Sequence, residues 1–212
     1  MSLAKLAIPA ILLLAAGGCT KAGDITEGGI TAVRTPCPRV AVPVGTGDVT
    51  LFNPATSRTA DAIDVVASIS NVESTCNAEG PQVATTIGFD VLGRRSQPGP
   101  ARDVTLPYFV SVVRGGSQVT AKRVAQVTLH FAEGALRAQA RAEGVATVDH
   151  AAATLPAEVR RRLTEKRKAG DEAAAVDPLN EPSVRQAVLS ATFEALVGFQ
   201  LTEDQLKYNL TR

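Results

Sequence analysis

The amino-acid sequence predicts a mainly β protein whose helices are confined to the C-terminal part of the chain. Between residues 37 and 150, apolar residues recur at alternate positions in short runs that Gly- and Pro-containing turns separate. After residue 151, the spacing of apolar residues changes to three and four, which is the period of a helix. Because strands and helices do not alternate, these runs predict an antiparallel, immunoglobulin-like β-sandwich with a C-terminal appendage of two to three helices.

Six or seven strands are expected in the β-rich region, 37–150. The clearest turn between them is Gly115-Gly116, which predicts a hairpin because glycine adopts positive φ without steric cost. A polar Glu-Ser-Thr sequence before Cys76 predicts the end of the second strand. In chain order, the predicted strands cover residues 40–44, 62–72, 83–91, 104–114, 119–131, 136–143 and 145–149.

The appendage, 151–212, is predicted from helix start and stop signals. Pro156 begins a largely solvated helix over 157–169, and Gly170 is a plausible C-cap. A more apolar helix is predicted over 183–197. The spacing of Thr202 and Gln205 then matches a capping box, which predicts a short final turn. Since 62 residues with few apolar positions are marginal alone, we expect the appendage to pack on the sandwich.

The first 18 residues have the features of a secretory signal. Lys5 precedes an apolar run over 6–16, which is too short to span a bilayer with margin. Small residues then lead to Cys19, and the sequence Ala-Gly-Gly-Cys resembles the lipobox of bacterial lipoproteins, with Ala16 where Leu is most common. The alternative is an ordinary secretory signal cleaved near Gly18, which would leave Cys19 as a free thiol.

The lipobox resemblance implies a diacylglyceryl thioether on Cys19 and, usually, an acylated amine. Two or three acyl chains make anchoring effectively permanent, because each buried methylene contributes roughly 0.8 kcal/mol. Thr20 follows Cys19, and by analogy with enterobacterial sorting this favours the outer membrane. Residues 20–36 are polar and Gly-containing, so we expect 19–36 to be the lipidated cysteine and a flexible tether. Alternatively, Ile25, Ile30 and Val33 allow the tether to order on a partner.

The remaining two of the three cysteines, Cys37 and Cys76, are predicted to form a disulfide in an oxidising compartment. Redox catalysis is the alternative, but no Cys-x-x-Cys motif occurs and the two residues are far apart in sequence.

The composition excludes several functional classes. The formal net charge is +1, which rules out a globally basic nucleic-acid binder. Aromatic residues make up 4% and Trp is absent, which weighs against binding platforms that stack bases or sugars. The two histidines, His130 and His150, have no metal-ligand spacing, so no metal site and no cofactor beyond the lipid are expected. No sequence motif of a hydrolase, metalloprotease, P-loop or dinucleotide-binding site occurs.

Two histidines, a glutamate and a basic cluster are the candidate site residues. His130 is expected to be a surface residue on the solvent-exposed face of its strand, and the alternative is that it acts as a catalytic base. His150 is expected to pair with neighbouring Asp149, and Glu194 is predicted to lie mid-helix. A basic patch could bind anionic lipid headgroups, lipopolysaccharide phosphate or another protein, or could be a solvated helix face. It consists of Arg160, Arg161, Arg162, Lys166, Arg167 and Lys168.

Several short motifs in the mature chain resemble patterns in uncharacterised proteobacterial lipoproteins. They are Cys37-Pro38, Pro107-Tyr108-Phe109-Val110, Gly198-Phe199-Gln200-Leu201 and Leu206-Lys207-Tyr208-Asn209. The resemblance implies a class and a location but no activity. We therefore expect a non-enzymatic lipoprotein, anchored in the outer membrane and facing the periplasm, that binds another envelope protein. The alternative is a periplasmic enzyme or small-ligand carrier whose site is built from loops.

Overall fold

The computed structural model describes residues 25–26, 29–30, 35–165 and 176–211. The signal peptide (1–18), Cys19, Gly170 and the basic residues Lys166, Arg167 and Lys168 lie outside the described residues. Within the described part, no helix is both long enough and apolar enough to cross a membrane.

Ten strands and three α-helices make up the described chain. The strands are β1 (Ile25–Thr26), β2 (Gly29–Ile30), β3 (Arg39–Ala41), β4 (Asp48–Phe52), β5 (Ile63–Asn77), β6 (Gln82–Arg95), β7 (Arg102–Arg114), β8 (Gln118–Phe131), β9 (Arg137–Asp149) and β10 (Phe193–Phe199). The helices are α1 (Ala157–Thr164), α2 (Pro182–Ser190) and α3 (Glu203–Thr211).

Eight of these strands form two four-stranded sheets. The first sheet has the order β3-β10-β7-β8, and the second has the order β4-β5-β6-β9. All neighbours are antiparallel except β3 and β10, which are parallel. Apart from them, β1 and β2 pair antiparallel within the predicted tether. The predicted mainly β sandwich with C-terminal helices is confirmed.

The core lies between the two sheets and consists of the alternate apolar positions of their strands. Its largest fully buried side chains are three phenylalanines, Phe89, Phe131 and Phe199, followed by Ile87 and Leu129. Tyr108 is buried among them, and its hydroxyl donates a hydrogen bond of 2.6 Å to the carbonyl oxygen of Glu143. Burial raises the pKa of the Tyr108 phenol above its usual value of 10.0.

The helix predicted over 183–197 is wrong in its second half. Helix α2 ends at Ser190, and Phe193–Phe199 form β10, which lies between β3 and β7 in the first sheet. Glu194 therefore lies in a strand and not mid-helix. Helix-favouring Ala and Leu residues produced the helical spacing, but hydrogen bonding to strands on both sides outweighs that local preference. The sandwich thus takes strands from both regions, 37–150 and 151–212.

Several strand predictions differ from the structure in their bounds. The first strand ends at Ala41, because Pro43 and a turn closed by Thr46 follow it. The Glu-Ser-Thr sequence before Cys76 is no turn, since β5 continues to Asn77 past an irregularity between Ser70 and Glu73. The two strands predicted over 136–143 and 145–149 are one strand, β9.

The predicted hairpin and capping box are confirmed. Gly115 and Gly116 have φ values of 61° and 79° between β7 and β8. Before α3, the Thr202 backbone N–H donates to Gln205 Oε1 at 2.9 Å, and the Gln205 N–H donates to Thr202 Oγ1 at 3.3 Å. The capped helix is held against the sandwich by Asn209, whose Nδ2 donates to the carbonyl oxygens of Gly45 and Asp48.

Candidate functional site

The first half of β8 is exposed on both faces. All nine residues from Gln118 to Gln126 are exposed, whereas Val127, Leu129 and Phe131 in the second half are buried. β8 is the last strand of its sheet and pairs only with β7 among the described strands. Along such an edge, every second residue points its N–H and C=O groups away from the neighbouring strand. We call residues 118–126 the β8 edge.

The path of β9 explains why the β8 edge is uncovered. β9 follows β8 after a short turn and belongs to the other sheet. By residues 143 and 144 it lies above β7: Tyr108 contacts Glu143, and a Cβ added to Gly144 would lie 2.5 Å from Val110 Cγ2. Because twisted sheets pack with their strands at an angle, β9 crosses from β8 to β7 along its length, and it lies over β7 at the level of the β8 edge. No strand of the second sheet therefore covers this part of β8.

Two adjacent cations lie at the middle of the β8 edge. Lys122 is opposite Ser111 in the ladder, on the outer face of the sheet, and its Nζ lies 4.9 Å from the ring centre of Phe109. Arg123 is opposite the core residue Val110, on the face that points toward the second sheet. Among the described residues, neither side chain has a carboxylate partner. β8 itself contains no Asp or Glu.

Small and apolar residues flank the two cations. Val119 and Val124 have exposed fractions of 60% and 56%, which is high for valine in a sheet. Ala121 and Ala125, which lie on the inner face on either side of Arg123, have small side chains. The adjacent charges were a signal in the sequence, because neighbouring residues of a strand point to opposite faces. A charge on each face indicates that neither face is buried at this point, and the sequence prediction of a strand over 119–131 missed this.

The structure describes half of the predicted basic patch, and one of the described cations is held in ion pairs. In α1, Arg162 forms ion pairs with Glu158 at 3.5 Å and with Glu181 at 2.6 Å. Arg160 and Arg161 are exposed, and Lys166, Arg167 and Lys168 lie outside the described residues. The Ser183 hydroxyl and then Arg162 hold the pKa of Glu181 below its usual value of 4.5. Arg162 therefore joins α1 to the start of α2 and is not a free cation.

The structure places the two histidines on the surface with different partners from those expected. His130 is on the exposed outer face, as predicted, but its Nδ1 lies 2.5 Å from Asp103 Oδ1 on β7. His150 Nδ1 lies 2.8 Å from the Gly80 carbonyl oxygen, so the expected pair with Asp149 is wrong. Asp149 instead accepts a hydrogen bond from the Ala152 backbone N–H.

Two surface grooves lie elsewhere on the molecule. One of about 290 Å³ lies between β4 and α3 and includes Phe52 and Tyr208, whose rings meet edge to face at 5.2 Å. The other, of about 270 Å³, lies between α1 and α2. Neither groove is lined by His130, His150 or Glu194. The described residues contain no group of three or more His, Cys, Asp or Glu side chains arranged to hold a metal ion.

The disulfide predicted between Cys37 and Cys76 is present, with a Cα–Cα distance of 6.1 Å. Cys37 precedes β3 of the first sheet and Cys76 lies in β5 of the second, so the bond links the two layers. β3 begins beside the start of β10, which in turn pairs with the end of β7. Cys37 is therefore at the same end of the sandwich as the Gly115-Gly116 turn, from which the β8 edge begins.

Comparison of the chain with protein-family models, with curated proteins and with solved structures gives no match.

Proposed function

We propose that the chain is a lipid-anchored lipoprotein of the bacterial cell envelope that binds another envelope protein without catalysis. The observation that carries the proposal is the β8 edge, with nine successive exposed residues on a strand whose second side pairs with no described strand. Extended segments bind such edges by adding a strand, in which main-chain hydrogen bonds supply affinity and side chains supply specificity. At about 3.3 Å per residue, the β8 edge is roughly 30 Å long, enough for a strand of ordinary length.

The anchor is the second part of the proposal. The lipobox resemblance supports Cys19 as the lipidated residue, and Thr20 after it favours the outer membrane by analogy with enterobacterial sorting. We place the sandwich on the periplasmic side of that membrane. The tether joins the sandwich at Cys37, and the β8 edge begins at that same end. A partner bound there lies near the membrane to which the chain is attached.

Photocrosslinking in intact cells tests whether the β8 edge binds a partner. A photoreactive amino acid is placed at Val119 or Val124 in the β8 edge and, as matched controls, at Gln139 or Thr147. The control residues are exposed on β9, the edge strand of the other sheet. We expect one adduct of the same mass from both β8 positions and from neither control. Adducts of equal yield from β8 and β9, or no adduct from β8, would contradict the proposal.

A further inference from the structure

We infer that the β8 edge binds an extended protein segment in which two acidic residues are adjacent in sequence. The inference rests on the proposed function and adds the chemistry of the partner. It derives from the two cations of the edge, Lys122 and Arg123, and from the faces on which they lie.

Lys122 and Arg123 are consecutive in a strand, so they project to opposite faces of the sheet. A strand added to the free side of β8 continues the same alternation, and its residues opposite 122 and 123 also lie on opposite faces. These two partner positions are consecutive whether the added strand is parallel or antiparallel. Two adjacent carboxylates therefore meet both cations, whereas two carboxylates separated by one residue share a face and meet only one.

The surroundings of the two cations favour an acidic partner. Neither cation is neutralised by a carboxylate of the described residues, and β8 supplies none. Opposite charges that face each other across two strands stabilise the pair, and like charges destabilise it. The exposed Val119 and Val124 and the small Ala121 and Ala125 accept β-branched residues on either side of the acidic pair.

A second copy of the chain is the less favourable occupant. The β8 edge is centred on Lys122, so antiparallel pairing of two copies about that centre places Lys122 against its symmetry mate. In any other antiparallel register, Lys122 and Arg123 of both copies still lie close together in one short ladder, and β8 contains no acidic residue to neutralise them. A charged edge of this kind is a recognised protection against self-pairing.

Binding of fluorescein-labelled nine-residue peptides to the acylated mature chain in detergent tests the inference. The peptides alternate Thr and Val and differ at the centre, which is Glu-Glu, Gln-Gln, or two Glu separated by one Val. Fluorescence anisotropy should give the tightest binding for Glu-Glu, about fivefold or more over each of the others. The variant K122Q/R123Q should lose that preference. The matched variant R94Q/R137Q, which removes two facing cations from the exposed side of the second sheet, should keep it.

Three results would overturn the inference. Equal affinity for the Glu-Glu and Gln-Gln peptides would show that the edge does not select charge. An equal loss in K122Q/R123Q and R94Q/R137Q would show that only net charge matters. Binding of vesicles containing 30% phosphatidylglycerol through Lys122 and Arg123, in preference to the peptide, would assign the two cations to a lipid surface.

The two proposals fail in different ways. Crosslinking from Val119 and Val124 to a partner segment that lacks adjacent acidic residues overturns the inference and leaves the proposed function intact. Absence of crosslinking from the β8 edge in cells contradicts the proposed function, even if the Glu-Glu peptide binds in vitro.

Discussion

At the scale of single residues, the buried Arg95 holds together loops that the sequence analysis did not single out. It is 4% exposed, and its guanidinium donates to four backbone carbonyl oxygens from the loops that flank β7 and β8. The acceptors are Gly99, Pro100, Ala132 and Ala135. The guanidinium also lies 5.6 Å from the ring centre of Phe131. One side chain therefore fixes two loops at the end of the sandwich.

Arg95→Lys is expected to lower the free energy of unfolding by about 2–3 kcal/mol. An ammonium cannot donate to four acceptors in the planar arrangement that the guanidinium provides, so buried carbonyl groups lose their partners. Urea denaturation followed by circular dichroism measures the change. Arg94→Lys is the matched control, because Arg94 is exposed on the same strand, and its expected effect is within about 0.5 kcal/mol. Equal effects of the two substitutions would refute this role of Arg95.

Ser183→Ala is expected to raise the pKa of Glu181 toward its usual value of 4.5. The Ser183 hydroxyl donates to Glu181 Oε1 at 2.7 Å and is the main cause of the lowered pKa, while Arg162 is the second. A lowered folded-state pKa means that the interaction stabilises above pH 4.5 and is lost as the pH falls through the folded-state value. NMR titration of the Glu181 side-chain carboxyl measures the pKa. Ser190→Ala, at the other end of α2, should leave it unchanged.

At the scale of elements, the sequence predicts where strands lie better than it predicts which strands they pair with and which of their faces are covered. Alternation locates β6 and β7 because each has one buried face over much of its length, and it locates β8 through Val127, Leu129 and Phe131 in its second half. It fails for Phe193–Phe199, where local helix preference opposes pairing with β3 and β7, strands that are distant in sequence. The exposure of the β8 edge is set by where β9 crosses the other sheet, so only the adjacent charges at 122 and 123 reveal it in the sequence.

The disulfide links elements of the two sheets, and its removal should destabilise the sandwich without changing its fold. The double variant C37A/C76A is expected to lose about 4 kcal/mol of unfolding free energy, because the bond closes a loop between residues 39 positions apart. The midpoint of urea denaturation measures the loss. The reduced wild-type protein is the control and should unfold at the same midpoint as the variant. An unchanged midpoint in both would contradict the expected stabilisation.

At the scale of the whole molecule, Cys37 and the start of the β8 edge lie at the same end of the sandwich. The parallel pairing of β3 with β10 brings the residues after Cys37 beside the start of β10, and β10 pairs with the end of β7. The hairpin at Gly115-Gly116 then starts β8 at this end. The tether sequence predicts an anchored domain, but it could not predict at which end of the sandwich the tether joins, because that depends on strand order.

The lipid anchor is tested by Cys19→Ser in cells labelled with palmitate. Without the thiol, no thioether forms, so the variant should take up no label and should not be cleaved by the lipoprotein signal peptidase. The disulfide variant C37A/C76A is the matched control, because it also removes thiols but leaves Cys19 in place, and it should be labelled and processed. Because the proposed function requires attachment near the membrane, the yield of the crosslink from Val124 to its partner should also fall in Cys19→Ser. Unchanged label, mature size and membrane retention in Cys19→Ser would reject Cys19 as the anchor, and the chain would then have to be held at the membrane in another way.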